Sequence, residues 1–328
     1  MLLLNREDIR AVFSMRDAIE ADKEAFRVHS RSETRVPLRG VVDVPGGQSL
    51  FMPAFVGGDM GRCGVKIISV IPGNAARGKP VVPATMVLLD RETGEVEALL
   101  DGTTLTQMRT AAVSGVATEL LAREDAEVGA LFGTGGQAEC QLEALLTVRS
   151  LTEVRIFDPL PGRSEAFASR NAPLATRLGA RLVPVPTPEE AVRGAQVITT
   201  VTTSSTPVFR GEDVDPGTHV NGVGTYTPDR RELDTVLMER AGKIFLDNRE
   251  AVLAEAGDLL IPLGEGRFSL DRISGELGDL LDGRVVGRTS REEITVLKTV
   301  GFAVLDVVTA VRVVEKARKA GRGQEVAL

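Results

Sequence analysis

The sequence predicts an α/β protein whose larger part is a doubly wound parallel sheet. From Glu127 onward, short apolar runs alternate with helix-prone segments, which is typical of parallel strands joined by crossover helices. A glycine-rich turn at residues 133–138 lies between the first of these strands and its helix. Ahead of residue 124 the pattern differs, because alternating β-type runs dominate, and we predict a separate α+β region there. A length of 328 residues fits two domains.

The first part of the chain combines a helix with a series of strands. Ser14 and Asp17 have the spacing of a capping box, which predicts a helix to about His29. Gly94 lies in the turn of a predicted hairpin. A helix at 104–121 follows, and its many small side chains would let another element approach closely. The predicted strands of this part are 39–44, 49–55, 64–71, 84–90 and 95–100.

The second part begins after a short polar turn at residues 123–125, where we predict the domain boundary. Ser290 and Glu293 form another capping-box pattern, from which we predict a long helix to about Ala320. The predicted strands are 127–132, 154–158, 181–185, 197–202, 219–223 and 243–248. The predicted helices between them are 137–149, 162–179, 187–194 and 229–241.

The glycine-rich turn carries the most informative signal. Gly133 can adopt the tight turn, Gly135 lets the backbone approach a pyrophosphate, and Ala138 is small enough for the helix to pack close to its strand. Free N–H groups and the positive end of the helix favour phosphates. The next strand ends at Asp158, whose carboxylate would meet the ribose hydroxyls of NAD. We therefore predict a Rossmann-type dinucleotide-binding domain, with a plain structural turn as the alternative.

Composition argues against several classes of function. The net charge of −7 disfavours nucleic acid as a partner, because phosphate backbones need a basic face. Cys63 and Cys140 are too few and too far apart for a disulfide framework or a zinc site, so we expect no metal and a reducing cytoplasm. The N-terminus does not resemble a signal peptide. Lys298, Asp306 and Arg312 interrupt the most apolar late stretch, so we expect no membrane partner.

Three basic residues are candidates for contact with a small acidic substrate. Lys66 shares a strand face with Ile68 and Val70, and apolar surroundings lower a lysine pKa toward values suited to proton transfer. Arg109 lies in a helix of small and apolar residues, where a guanidinium needs a carboxylate or a phosphate. Arg39 is a second candidate contact for an anion. For each of the three, an exposed side chain in water is the alternative.

A loop after the predicted strand at 219–223 contains Tyr226, the single tyrosine of the chain. Ligands bind at the carboxyl ends of strands in doubly wound sheets, so we place Tyr226 in the active-site loop. It could pack against a nicotinamide or assist a proton transfer, and simple packing is the alternative. We interpret Asp229 and Glu232 as residues that cap and charge the next helix start.

The two histidines, His29 and His219, are interpreted as structural. His29 closes a predicted helix, and His219 begins a strand after a Pro-Gly turn. The absence of a motif histidine disfavours a Ser-His-Asp hydrolase and a dehydrogenase that uses a histidine acid.

Several blocks together resemble the ornithine cyclodeaminase/mu-crystallin family across nearly the whole chain. The Arg-Thr-Ala-Ala run that begins at Arg109 and the glycine-rich loop that ends at Ala138 are specific in combination. The blocks that carry the resemblance are 64–66, 72–74, 88–94, 98–102, 105–114, 133–138, 228–234 and 293–301.

The resemblance implies a dinucleotide domain inserted into a substrate-binding and dimerisation domain, to which a C-terminal helix returns. We accordingly expect the substrate domain at residues 1–124 plus 303–328 and the dinucleotide domain at 125–302. Family dimers form by joining the N-terminal sheets, so we expect a homodimer. Members include cyclodeaminases, alanine dehydrogenases and reductases of cyclic imino acids.

The same resemblance assigns expected roles to single residues. Lys66 resembles the active-site lysine of the family, Arg109 the residue that holds the substrate carboxylate, and Arg39 a second carboxylate contact. Tyr226 completes the predicted catalytic set. Glu255 resembles a family acid whose role we leave open. The predicted cofactor-binding residues are Thr110, Gly133, Thr134, Gly135, Gly136, Gln137, Ala138, Asp158, Thr202, Val223, Gly224, Lys298 and Gly301.

Two departures from the family pattern bear on the substrate. Cyclodeaminases and archaeal-type alanine dehydrogenases carry an aspartate where this chain has Tyr226. The acid that cyclodeaminases place just before the Met52-Pro53 pair is also absent. Ornithine needs carboxylates to handle its second amine, whereas a cyclic imine needs only a hydride, a proton and a carboxylate anchor. The departures therefore favour imine reduction over ornithine cyclisation.

We predict an NAD(P)H-dependent reductase of a small cyclic α-imino acid, of the Δ1-pyrroline-2-carboxylate or Δ1-piperideine-2-carboxylate type. Asp158 favours NAD(H) over NADP(H), because its charge repels a 2′-phosphate, although Arg155 and Arg163 are near enough in sequence to bind one. An ornithine cyclodeaminase or an alanine-type dehydrogenase is the alternative. A non-catalytic protein that binds a small ligand is a further alternative.

Overall fold

The computed structural model describes residues 1–327, and the chain divides into two compact units. The first unit comprises Met1–Arg109 with Phe302–Leu328, and the second comprises Thr110–Gly301. One helix, Gly102–Leu121, runs across the division. The division after Arg109 falls inside this helix, and the domain boundary near residue 124 stays a prediction.

Each strand and helix predicted between residues 14 and 248 has a counterpart in the structure, which also contains further short elements that were not predicted. The strands are β1 (Leu2–Leu4), β2 (Thr34–Arg35), β3 (Gly40–Val44), β4 (Gly47–Val56), β5 (Arg62–Val70), β6 (Ala84–Leu89), β7 (Val96–Asp101), β8 (Val128–Phe132), β9 (Glu153–Phe157), β10 (Arg181–Pro184), β11 (Val197–Thr200), β12 (His219–Gly222), β13 (Lys243–Leu246), β14 (Ile273–Glu276), β15 (Thr295–Lys298) and β16 (Gln324–Glu325). The α-helices are α1 (Arg6–Val12), α2 (Met15–Ser30), α3 (Gly102–Leu121), α4 (Ala138–Val148), α5 (Arg163–Arg177), α6 (Pro188–Val192), α7 (Thr235–Arg240), α8 (Arg249–Glu255), α9 (Gly257–Gly264), α10 (Leu277–Leu281) and α11 (Ala303–Lys319). Short 3-10 helices lie at Pro72–Arg77, Gly211–Asp213 and Leu270–Arg272.

The first unit is built on one sheet in the order β16-β1-β7-β6-β5-β4-β2, with β3 paired to β4. Strands β3 to β7 pair antiparallel with one another in chain order, whereas β1 pairs parallel with β7. The predicted hairpin is the pair β6 and β7. The predicted capping box of α2 is confirmed, since Ser14 and Asp17 each accept a hydrogen bond from the other's backbone N–H.

One face of this sheet is covered by α11, which packs on β4, β5 and β6. The buried residues of β4 that alternate onto this face include Met52 and Ala54. Gly64 of β5 lets the helix come close, because a Cβ at that position would lie 3.3 Å from Cγ2 of Val307. The glycine thus leaves room both for α11 and for the neighbouring strand β6, because the same Cβ would lie 2.8 Å from the carbonyl oxygen of Val87.

The second unit is a parallel sheet in the order β10-β9-β8-β11-β12-β15-β13-β14. The chain winds outward from β8 in both directions, because β9 lies on one side of it and β11 on the other. Along β8, Ala130 and Phe132 belong to one apolar cluster and Leu131 to a second. Both faces of the sheet are therefore covered, which confirms the predicted doubly wound α/β fold.

The predicted helix from Ser290 to Ala320 is wrong in its first half. Glu293 does accept the N–H of Thr289 at 2.8 Å, and its own N–H contacts Oγ of Ser290 at 3.2 Å. The chain then forms β15, which pairs with β12 on one side and β13 on the other. Pairing with two strands outweighs a local capping pattern, so the helix begins only at Ala303.

Within residues 1–327, no helix has both the length and the apolar character required to cross a membrane. Both cysteines are free thiols, Cys63 exposed and Cys140 buried. The same described residues contain no group of three or more metal-binding side chains.

Candidate active site

Lys66 lies in the middle of β5, and its side chain is 0% exposed. Its strand partners are Met52 of β4 and Met86 of β6, and Ile68 lies beside it on the same face. The predicted apolar surroundings of this lysine are therefore present. An ammonium group in such a place needs an acceptor, since unpaired burial of a charge is strongly unfavourable.

The acceptor is Asp306 of α11, which is also 0% exposed. Nζ of Lys66 lies 2.8 Å from both carboxylate oxygens of Asp306. Asp306 is adjacent in sequence to Val307, the residue of α11 that lies close to Gly64. From sequence, Asp306 was predicted only as a charge that interrupts an apolar stretch, and its contact with Lys66 was not predicted. An acid within an otherwise apolar helix was the available signal, because such a group requires a buried cation.

Arg109 completes a triad, because its Nε donates to Oδ1 of Asp306 at 2.9 Å. The side chain of Arg109 is 5% exposed. In the described part of the chain, the hydrogen bonds of Arg109 involve Nε alone, so both terminal nitrogens remain for a planar anion. The structure thus brings the predicted pair, Lys66 and Arg109, together through an aspartate that was not predicted.

The charges around Lys66 set its protonation. Desolvation lowers the pKa of Lys66 to about 7, and the positive charge of Arg109 acts in the same direction. Asp306 opposes this shift by favouring the ammonium form. Near neutral pH the side chain therefore exists both as ammonium and as amine, which is the condition for an efficient general acid or base.

Arg39 lies half-buried just before β3. Its charge adds to those that lower the pKa of Lys66, so its field reaches the lysine. Arg39 and Arg109 together make the surroundings of Lys66 positive, which suits a substrate that carries a carboxylate.

The glycine-rich turn after β8 has the geometry that a dinucleotide requires. Gly133 has φ +98°, and a Cβ there would lie 2.8 Å from the carbonyl oxygen of Val201, so only glycine fits. At Gly135, by contrast, an added Cβ would meet no protein atom within 4 Å, which leaves the backbone open to a ligand. The turn leads into α4, whose N-terminus has no side-chain cap. These features fit a pyrophosphate at the helix N-terminus.

Asp158 follows β9 directly and lies beside this turn. Its Oδ2 accepts hydrogen bonds from the backbone N–H of Thr134 at 3.2 Å and from its hydroxyl at 2.7 Å. Its Oδ1 accepts the N–H of Leu160. The carboxylate is therefore fixed at the carboxyl end of the second strand of the wound sheet, where a ribose would be recognised.

Two loops at the carboxyl ends of β11 and β12 carry the next predicted residues. Thr202 follows β11, and Val223, Gly224 and Tyr226 follow β12. Tyr226 is half-buried, and Val223 is buried. The interpretation of Glu232 as a helix-start residue is wrong, because its carboxylate binds backbone N–H groups of both loops. Asp234, and not an earlier acid, caps α7.

Three further predicted cofactor residues have internal partners. The ammonium of Lys298 is fully buried and contacts Asp258, and Gly301 donates its N–H to Asp247 at 2.7 Å. The carbonyl of Thr110 accepts from the side chain of Gln141 at 3.3 Å. These contacts support the backbone of the second unit, and a direct cofactor contact for any of the three stays a prediction.

Both histidines have structural partners. Both ring nitrogens of His219 are hydrogen-bonded, to Thr295 and Asn221, and desolvation lowers its pKa to about 3. His29 contacts Thr34 and packs on the ring of Phe302. These contacts favour the predicted structural roles.

Comparison with known proteins agrees with this geometry. The model of the ornithine cyclodeaminase/mu-crystallin family matches residues 1–321. A Δ1-pyrroline-2-carboxylate reductase of Bacillus cereus is 37% identical over 328 residues, with 99% of each chain covered.

Two solved structures are similar over the full length. One is the Δ1-pyrroline-2-carboxylate reductase of Thermococcus litoralis in complex with NADH and L-proline, with a TM-score of 0.93, 36% identity and coverage of 99% of this chain and 100% of that one. The other is an archaeal alanine dehydrogenase dimer with bound NAD, with a TM-score of 0.92, 33% identity and coverage of 100% and 99%.

Proposed function

Because the chain belongs to the ornithine cyclodeaminase/mu-crystallin family, we propose that it is an NADH-dependent reductase of a small cyclic α-imino acid. The observation that carries the proposal is the buried triad of Lys66, Asp306 and Arg109. Reduction of a C=N bond adds a hydride to carbon and a proton to nitrogen. Relatives named as Δ1-pyrroline-2-carboxylate reductases favour the five-membered ring.

Arg109 is the proposed anchor for the substrate carboxylate. Its Nε donates to Asp306, which fixes the plane of the guanidinium and leaves the two terminal nitrogens for the substrate carboxylate. Each charge-assisted hydrogen bond to the carboxylate contributes about 1.5–3 kcal/mol. Arg39 is the proposed second contact for the same carboxylate, since its charge already acts on Lys66.

Lys66 is the proposed proton donor to the imine nitrogen. With a pKa of about 7 it is protonated in a large fraction of molecules at neutral pH, yet it releases the proton readily. Asp306 holds Nζ at 2.8 Å and so fixes the direction of transfer.

The turn after β8 is the proposed cofactor site, and Gly133, Gly135 and the N-terminus of α4 would hold the pyrophosphate. When bound, NADH supplies the hydride. We propose a preference for NADH over NADPH, because the fixed carboxylate of Asp158 would repel a 2′-phosphate.

We also propose that the protein is a homodimer joined through the outer face of the first unit's sheet. On this face Phe51 and Phe55 of β4 are each 40% exposed, and Ile67 of β5, the strand partner of Phe51, is 39% exposed. Adjacent apolar side chains of this size are typical of a protein interface. Free cysteines suit a cytoplasmic location for this dimer.

The dimer has a direct test. Mass measured in solution by light scattering should be twice that of the chain, and Phe51→Asp should give a monomer. Val286→Asp is the matched control, because Val286 is 67% exposed and lies in the other unit. A monomeric wild type would contradict the proposed assembly.

The activity is tested by following NADH and NADPH separately with Δ1-pyrroline-2-carboxylate and Δ1-piperideine-2-carboxylate. We expect one NADH to be consumed for each cyclic amino acid formed. Ammonia released from ornithine without net loss of NADH would instead indicate a cyclodeaminase. Formation of NADH and pyruvate from alanine would indicate an alanine dehydrogenase, a reading that the likeness to the archaeal enzyme favours. Tight NADH binding without any turnover would indicate a binding protein.

A further inference from the structure

Glu232 is a fully buried acid that connects the two loops at the carboxyl ends of β11 and β12. Its Oε1 accepts the N–H of Thr202 at 2.6 Å. Its Oε2 accepts the N–H groups of Gly224 at 2.6 Å and Thr225 at 3.2 Å. One carboxylate therefore binds backbone donors that are widely separated in sequence.

The two loops are packed so closely that their spacing depends on these bonds. A Cβ at Gly224 would collide with the backbone oxygen of Thr202 and would lie 2.7 Å from Oε1 of Glu232. Thr202 in turn lies against the glycine-rich turn, since a Cβ at Gly133 would lie 3.0 Å from Cγ2 of Thr202. A continuous line of contacts thus runs from Glu232 through Thr202 to Gly133.

A second buried pair, Asp258 and Lys298, binds the backbone at Glu232 and at Thr225. Asp258 accepts the N–H groups of Glu232 and Leu233 at 2.7 and 2.8 Å. Lys298 lies 2.8 Å from Asp258 and donates to the carbonyl of Thr225 at 2.8 Å. Burial raises the pKa of Glu232, and the charge of Lys298 opposes that shift. The contacts form a closed circuit around the loop that precedes Tyr226.

We propose that Glu232 is the positioning residue of the cofactor site, which holds the loops after β11 and β12 at the separation that NADH binding requires. The proposal rests on the proposed use of NADH. In a doubly wound sheet, the loops at the carboxyl ends of the strands beside the switch point line the dinucleotide cleft. Glu232 acts on the cofactor through Thr202 and Gly224 and does not itself need to touch it.

The test is the dissociation constant of NADH for Glu232→Gln, measured by fluorescence titration without any imino acid. A glutamine amide accepts hydrogen bonds at its oxygen only, so its NH2 group would face the N–H groups of one loop. We expect at least a tenfold rise in the dissociation constant. In turnover, KM for NADH should rise by a similar factor while KM for the imino acid changes less than twofold.

Asp234→Asn is the matched control. Asp234 also bridges two backbone N–H groups, those of Gly211 at 2.8 Å and Leu237 at 2.7 Å, but neither belongs to the two loops. We expect both variants to lose thermal stability, but Asp234→Asn should bind NADH within twofold of wild type. Equal weakening in both variants, or unchanged NADH affinity in Glu232→Gln, would overturn the proposal.

Gly224→Ala provides a second route should Glu232→Gln fold poorly. It leaves the carboxylate in place and adds a methyl group that meets Thr202, so it forces the loops apart. Weakened NADH binding is expected here too, and wild-type affinity would contradict the proposal. A wild type that binds NADH but reduces no imino acid would contradict the proposed function. The NADH affinities of the variants would still test the role of Glu232.

Discussion

Lys66 and Lys298 are both strand lysines with 0% exposure, and each has its Nζ 2.8 Å from a fully buried aspartate. Their surroundings differ in what else the aspartate binds. Asp258, the partner of Lys298, accepts two backbone N–H groups, and Lys298 itself donates to a backbone carbonyl. Within residues 1–327, the hydrogen bonds of Asp306, the partner of Lys66, come from two side chains, those of Lys66 and Arg109.

This difference distinguishes an ion pair that supports the backbone from one that we propose takes part in the reaction. Lys298 contacts Oδ2 of Asp258 and the carbonyl of Thr225, so its removal leaves two buried acceptors without this donor and the loop loses its position. At Lys66, desolvation and the charge of the second cation on the shared aspartate lower the pKa to about 7, so a proton can move. We therefore propose that the same two residue types serve stability in one unit and proton transfer in the other.

The largest expected effect comes from Lys66→Met compared with Lys298→Met. Loss of a general acid lowers kcat by about 100- to 10,000-fold, and Asp306 keeps Arg109 as its partner, so Lys66→Met should melt near the wild-type temperature. Lys298→Met breaks a buried pair without replacement, at a cost of about 3–5 kcal/mol.

Thermal melting and turnover measured on the same preparations separate these outcomes. A Lys66→Met enzyme that retains wild-type turnover would refute the proton-transfer role. A Lys298→Met protein with unchanged melting temperature and NADH affinity would show that the two pairs do not differ as described.

Arg109→Gln should act on substrate binding. The variant keeps a donor that can reach Asp306 but loses the charged fork for the carboxylate. At about 1.5–3 kcal/mol, the lost contact corresponds to a rise in KM for the imino acid of about 10- to 150-fold. NADH affinity in the absence of substrate is the control, and it should stay within twofold of wild type.

A smaller effect is expected at Asp158. Replacing it with serine removes the charge that would oppose a 2′-phosphate while retaining a short polar side chain. We expect the ratio of kcat/KM for NADH over NADPH to fall by about tenfold, measured with one imino acid under identical conditions. A ratio unchanged by the substitution would assign cofactor choice to other residues, with Arg163 at the start of α5 as the next to substitute.

The parts that could be predicted from sequence are those with local signatures. The turn at Gly133, the carboxylate at Asp158 and the capping box at Ser14 each depend on a few neighbouring residues, and the structure has all three. The false helix from Ser290 shows the limit of such patterns, because pairing of β15 with two distant strands overrides a local cap.

The contacts of Asp306 and Glu232 were not predicted, because they too involve residues that are distant in sequence. Asp306 binds Lys66 across 240 residues of sequence, and Glu232 binds Thr202 across 30. Neither partner is adjacent, so no spacing rule connects them. A buried acid in an apolar segment indicates that a cation or several N–H donors must be near, but only the fold shows which.

The most direct test of the central claim is the pH dependence of kcat/KM for imine reduction in the wild type and in Asp306→Asn. In the proposed reaction the ammonium form of Lys66 donates the proton, so activity should fall as pH rises through about 7. Asp306 raises the pKa of Lys66, so its neutralisation should move the fall to lower pH, whereas titration of the substrate itself would be the same for both enzymes. A fall at the same pH in both would contradict the assignment of Lys66 as the proton donor.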